Sequence, residues 1–158
     1  MSIIKVADLG ISSGVNTPAF QAELDTEQSI TDGTTTVIAF ETKTLDTDNC
    51  YSTSTYRFTP NKAGKYFVYA QTYPDAQANS QLDDCFLYLY KNGSEIFQSG
   101  ANFNDNNPRN HWLNLSFIVD MNGTTDYLDV RIFIDDDSGN PRLQSTKSAF
   151  SAFRITGA

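Results

Sequence analysis

Positive charge is what this sequence has least of. Its 158 residues carry 11 Lys and Arg against 19 Asp and Glu, a net charge of −8. A nucleic-acid groove needs the opposite balance, so no nucleic-acid partner is expected. Charged residues of either sign are scarce, at 19 %. Helical proteins cover their surfaces with Glu, Lys and Arg, whereas the Thr, Ser, Asn and Gln that supply polarity here suit strands and turns. Histidine occurs once, as His111. Any Ser-His-Asp or Cys-His centre would have to be built around it. It stands beside Trp112 at the start of a strand, where a rim or interface role is expected. No phosphate loop and no zinc spacing is present, so no catalytic residue is assigned and no enzyme is expected. No apolar run approaches the roughly 18 residues of a membrane-spanning helix, and no membrane insertion is expected.

The opening "MSIIKVADLG" lacks the apolar core of a secretory leader. Cys50 and Cys85 are therefore expected as reduced, partly buried thiols rather than as a disulfide. The sequons at Asn92, Asn114 and Asn122 carry no expectation of a glycan.

Aromatic residues, by contrast, are abundant at 13 %, and apolar residues reach 39 %. That composition specifies a packed core, and the length suits one domain. Residues 1–17 read as an N-terminal arm or linker, and 18–158 as the domain. From Pro18 onward, turn signals recur: "DG" at 32–33, "PNKAG" at 60–64, "NG" at 92–93, "NNP" at 106–108, "NG" at 122–123 and "SGNP" at 138–141. Between them lie short runs rich in Phe, Tyr, Val, Ile and Thr, and nothing keeps a helical period. Eight to ten strands and little or no helix are expected, in an all-β sandwich or jelly roll. "STSTYRFT" (52–59), "CFLYLYKNG" (85–93) and "WLNLSFIV" (112–119) read as ordinary core strands. "WLNLSFIV" places Leu113, Leu115, Phe117 and Val119 on one face.

Three runs carry apolar residues on both faces: "KYFVYA" (65–70), "YLDVRIFI" (127–134) and "SAFSAFRI" (148–155). A sandwich strand needs only one apolar face. A second one calls for another layer, and a neighbouring subunit supplies it. The residues expected at that interface are Phe67, Tyr69, Tyr127, Arg131, Phe133 and Phe150, with Phe153 and Ile155 entering the sandwich.

One spaced set of residues has a familiar form. Phe40, five residues, Asp46, four residues, Tyr51, six residues, Phe58, five residues, Gly64 and then Tyr66 resemble the signature of the C1q/tumour-necrosis-factor superfamily. Val68 and Ala70 stand where that family has aromatics. The closing Ser148, Phe150, Ser151, Ala152, Phe153, Arg154 and Ile155 are similar to its last strand, with Ala152 for the usual Gly. "PAFQAEL" (18–24) looks like its first. The resemblance implies a ten-stranded jelly-roll β-sandwich that assembles as a homotrimer, with first and last strands adjacent in an inner sheet facing the threefold axis. Obligate interfaces of that sort bury roughly 2,000 Å² or more. The chain has no collagen-like Gly-X-Y stalk. In its Thr/Asn-rich style it resembles stand-alone C1q-like virion proteins of tailed bacteriophages.

That resemblance implies a trimeric structural or adhesion module, a fibre tip or capsid-attached knob. It would bind a host-surface glycan or protein through loops 46–54, 74–83, 102–110 and 135–146 at one end. Residues 1–17 would tether it to another virion protein, and its location would be the virion, after synthesis in the host cytoplasm. The alternative is a free soluble C1q-like lectin or ligand-binding protein of a cell. Calcium sits near the threefold axis in some members, before the strand similar to 112–119, and Asp105 falls at about that place. Calcium takes six to eight oxygens, and Asp135, Asp136 and Asp137 form a second acidic stretch. A calcium site and a solvated acidic loop are both open readings of these residues, and no other cofactor is expected.

Overall fold

A computed structural model describes residues 17–104, 106–137, 139–145 and 148–155. Fourteen strand segments run through them: β1 (Ala19–Glu23), β2 (Gln28–Ser29), β3 (Thr36–Val37), β4 (Thr42–Asp46), β5 (Tyr51–Ser52), β6 (Arg57–Phe58), β7 (Gly64–Thr72), β8 (Pro74–Asp75), β9 (Leu82–Lys91), β10 (Ser94–Asn102), β11 (Leu113–Met121), β12 (Leu128–Asp136), β13 (Arg142–Leu143) and β14 (Ala149–Arg154). No α-helix occurs among the described residues.

Two antiparallel sheets face each other. One has the order β11-β7-β14-β1-β4, and the other β10-β9-β12-β6-β5 with β3 on β12. A third, small sheet, β2-β13-β8, closes one end. The first and last long strands lie side by side, as expected, with Phe20 opposite Ala152 and Ala22 opposite Phe150. Asn92 and Gly93 join β9 to β10 with φ of 54° and 81°. Two successive left-handed residues make the hairpin turn whose twist matches the strands, which is why Asn-Gly stands there.

The spaced aromatics meet in the core. Phe20 stacks on Phe58 at 4.4 Å and on Tyr51 at 4.8 Å, and meets Phe150 edge-on at 4.8 Å. Phe58 meets Tyr66 at 5.6 Å and Phe40 meets Phe150 at 5.8 Å. Such pairs each contribute about 0.5–1.5 kcal/mol beyond the area they bury. The polar tips are satisfied. Tyr51 Oη donates to the Phe40 carbonyl at 3.0 Å and Tyr66 Oη to the Lys62 carbonyl at 2.8 Å. Burial raises the Tyr66 pKa to about 12. Asp46 accepts from the amides of Cys50 and Tyr51, tying the loop behind β4. Gly64 has φ +147°, and a Cβ there would sit 2.9 Å from Arg154 Nε. Each member of the spaced set therefore has a packing or backbone reason.

Three expectations need correction. Phe150 is fully buried and belongs to the core, while Phe153 is 41 % exposed. The alternation of β14 was read correctly, but the face turned inward is the other one. The run 52–59 is not one strand. It is two short segments around a four-residue turn, with Tyr56 at φ 57°. Loop 46–54 lies at the opposite end of the sandwich from the other three binding loops, as its contacts below show.

Both thiols are free, and they are more buried than expected, Cys50 at 7 % exposure and Cys85 at 0 %. Burial pushes the Cys85 thiol up to about 12.

Candidate functional site

The outward face of the five-stranded sheet can be read row by row from strand register. Ile118 lies opposite Phe67, Phe67 opposite Phe153, and Phe153 opposite Ala19. The next row is Ser116, Tyr69, Ser151 and Gln21, and the next is Asn114, Gln71, Ala149 and Glu23. One end of this face is therefore apolar and the other polar. Ile118 is 54 % exposed, and the Phe67 and Phe153 rings lie 5.4 Å apart. A second apolar patch sits around the edge, where Phe117 stacks on Phe97 of β10 at 4.9 Å.

The other three residues expected at a shared interface are elsewhere. Tyr127, Arg131 and Phe133 lie on β12 or just before it, in the opposite sheet. With Phe150 in the core, only Phe67 and Tyr69 of the six share the apolar face. Periodicity showed that these strands have two faces, but it carries no information about which sheet a strand joins.

The opposite sheet presents aromatic and charged side chains outward. The Arg131 guanidinium lies over the Tyr90 ring at 3.9 Å, and that of Arg57 over Tyr127 at 4.0 Å. Both point to Asp129, whose side chain is 2 % exposed: Arg131 Nε donates at 2.7 Å and Arg57 Nε stands at 3.8 Å. The hydrogen bond to Asp129 holds Arg131 above the usual arginine range.

Loops 74–83, 102–110 and 135–146 gather at one end. The Ala76 amide donates to the Arg109 carbonyl at 2.9 Å, Leu82 to Pro108 at 3.0 Å and Asp137 to Gln81 at 3.0 Å. Asp75 pins this end. Fully buried, it accepts from Arg109 Nε at 3.0 Å, Arg142 Nη2 at 3.0 Å, Gln144 Nε2 at 2.9 Å and the Gln77 amide at 2.9 Å. Burial alone would raise its pKa, but the hydrogen bonds from Arg109, Gln144, Gln77 and Arg142 outweigh it and hold the carboxyl well below its usual range. Sequence reading missed this network, because its members are far apart in the chain and no local signal links them.

Loop 46–54 belongs to the far end. Thr47 donates to the Ala19 carbonyl at 3.0 Å, and Lys62 pairs with Asp48 at 3.4 Å.

Asp105 lies outside the described residues. Asp135, Asp136 and Asp137 are in place but do not converge. Asp136 is 5 % exposed, and its Oδ1 accepts from the Gly139 amide. Asp135 and Asp137 have raised pKa values. The largest cause is burial for Asp135 and the nearby Asp83 for Asp137. No group of three His, Cys, Asp or Glu able to hold a metal occurs among the described residues, which do not include Asp105. His111 meets Phe103 edge-on at 5.1 Å, and the neighbouring Trp112 is 48 % exposed and lies 4.7 Å from Tyr73.

No family model and no curated protein matches the chain. Solved structures do. The globular domain of a zebrafish complement 1qA protein superposes with a TM-score of 0.67 at 14 % identity, covering 88 % of this chain and 98 % of that one. The Eiger TNF of S. frugiperda gives 0.65 at 13 % identity, covering 89 % and 93 %. The chain has a C1q/TNF-like jelly-roll fold. In this jelly roll, the sheet that carries β1 and β14 is the one with the exposed apolar row.

Proposed function

We propose that the chain is a non-enzymatic binding module that assembles into a ring of three and presents its loops to a cell-surface glycan or protein. The observation that carries this is the row Ile118, Phe67 and Phe153 on the outward face of a sheet whose inner face already fills the core. Exposed aromatics concentrated in one row mark an interaction surface. This row and the edge patch of Phe97 and Phe117 are different surfaces. Packing one against the other in the next copy gives a head-to-tail contact, which forms a ring when the rotation between copies closes and does not form a twofold pair. The C1q/TNF-like fold supports three as the ring size.

In this reading the module is part of a tailed-phage virion, as a fibre tip or capsid knob, and residues 1–17 tether it to a second virion protein. Its Thr/Asn-rich composition supports that placement.

Light scattering after gel filtration tests the assembly. The expected mass at micromolar concentration is about three times the 17.6 kDa chain. Phe67→Arg and Phe153→Arg are expected to release folded monomer, and Phe133→Arg on the opposite sheet to leave the assembly intact. A wild-type monomer, or an assembly indifferent to both Phe67→Arg and Phe153→Arg, would refute the reading.

A further inference from the structure

Three cavities of the described surface differ in charge. One on the outward face of the five-stranded sheet is lined by Glu23 and Asp25, and one at the loop end by Asp83 and Asp137. The third, of about 370 Å³, opens at the far end, along the edge where β4 and β5 approach each other. Its charged lining residues are Lys43 and Arg57, and Asn49, Ser52, Ser54 and Thr59 supply amide and hydroxyl groups. No carboxylate lines it, in a chain of net charge −8.

The carboxylates around it are mostly engaged. Asp46 is engaged by Lys43 and two backbone amides, and Asp48 by Lys62. Asp129 is shared between Arg57 and Arg131. Four cations, Lys43, Arg57, Lys62 and Arg131, stand around it with four carboxylates, Glu41, Asp46, Asp48 and Asp129, so the positive sign belongs to the lining itself. Arg57 is also held for a task. Its guanidinium face rests on Tyr127, its Nε turns toward Asp129, and its terminal nitrogens have no protein partner among the described residues. A guanidinium fixed on an aromatic face with its outer edge free is preorganised for a planar or tetrahedral oxyanion.

From this geometry we infer that the cavity binds a saccharide bearing a carboxylate or sulfate group. The oxyanion pairs with the free edge of Arg57 and with Lys43, and the sugar hydroxyls meet Asn49, Ser52, Ser54 and Thr59. The lining favours a sugar over a peptide, because it is rich in hydroxyls and lacks the deep apolar slot that anchors a peptide side chain. The overall −8 charge repels a long polyanion and tolerates a single acidic sugar. This names a ligand class within the binding role proposed above, but it does not depend on the ring, since a monomer presents the same cavity. The cavity lies at the β4/β5 edge, across the sandwich from the Phe97–Phe117 edge.

The test is a titration of the full chain followed by amide NMR. The probes are 3′-sialyllactose, 3′-sulfated lactose, plain lactose and sodium sulfate. Both acidic sugars, or one of them, are expected to shift amides within 49–59, and which of the two acts identifies the oxyanion. Lactose is expected to leave those amides unmoved, and sodium sulfate to bind at least about tenfold more weakly than the acidic sugar. Arg57→Gln and Lys43→Gln should each weaken binding about tenfold in chains whose spectra remain folded, and Lys65→Gln should not change it. Silence from both acidic sugars, an equal response to lactose, sulfate binding as tightly as the sugar, or full binding by Arg57→Gln would each overturn the inference. A monomer that binds the acidic sugars would refute the ring and leave this site standing, and a ring that ignores them would do the reverse.

Discussion

Asp75→Asn is the substitution whose effect follows most directly from this structure. The side chain keeps its size but loses its charge, and one acceptor oxygen becomes an NH2 that faces either Arg109 and the Gln77 amide or Arg142 and Gln144. Removing one partner of a buried ion pair costs about 3–5 kcal/mol. The two arginines are 43 % and 26 % exposed, so water compensates part of their loss, and about 2–4 kcal/mol is expected. For a chain of this length each kcal/mol moves Tm by roughly 2–4 °C, so Tm should fall by about 4–16 °C at pH 7.

The pH dependence is a second, independent check. The folded carboxyl titrates well below its usual range. Its contribution is therefore complete above an unfolded pKa of about 3.9 and is lost as pH falls below it. Between pH 7 and pH 3 the gap between wild type and variant should narrow by about 1 kcal/mol. Calorimetry at both pH values measures this, at one protomer concentration so that assembly contributes equally. A fall in Tm under 2 °C at pH 7, or a gap unchanged at pH 3, would show that the charge of Asp75 does not hold the β2-β13-β8 end together.

Two neighbours on β14 should behave oppositely. Phe150→Ala removes a core ring and should cost about 3–5 kcal/mol in urea unfolding, whereas Phe153→Ala should cost the isolated fold under about 1 kcal/mol and act on assembly instead. Equal losses would mean that the inward face of β14 is misassigned. In a thermal melt, calcium added after chelation should leave the midpoint unmoved, because Asp135, Asp136 and Asp137 do not converge. A rise of several degrees that is lost in an Asp135→Asn chain would show a site there.

Much of the fold was legible along the chain, because its signals are local. The Asn92–Gly93 hairpin follows from backbone sterics. The alternation of Leu128, Val130, Ile132 and Ile134 places all four in the core, as β-period predicts. The spaced aromatics Phe40, Tyr51, Phe58 and Tyr66, quoted for the resemblance, all lie in the buried core.

What the sequence left open depends on choices between locally equivalent states. In β14 both faces carry a phenylalanine, so periodicity defines two faces and cannot say which turns inward. Pairing with β1 and β7 decides it, because Phe150 lies opposite Ala22 and Ala70, both fully buried, and so must share their side of the sheet. Sheet membership is equally non-local. Phe67 and Phe133 look alike in the sequence, yet strand order sends them to opposite surfaces of the sandwich. The Asp75 network and the cation-lined cavity exist only once distant segments meet. Residue type and spacing determined a C1q/TNF-like jelly roll with an aromatic core, and strand pairing decided which surfaces are left to act.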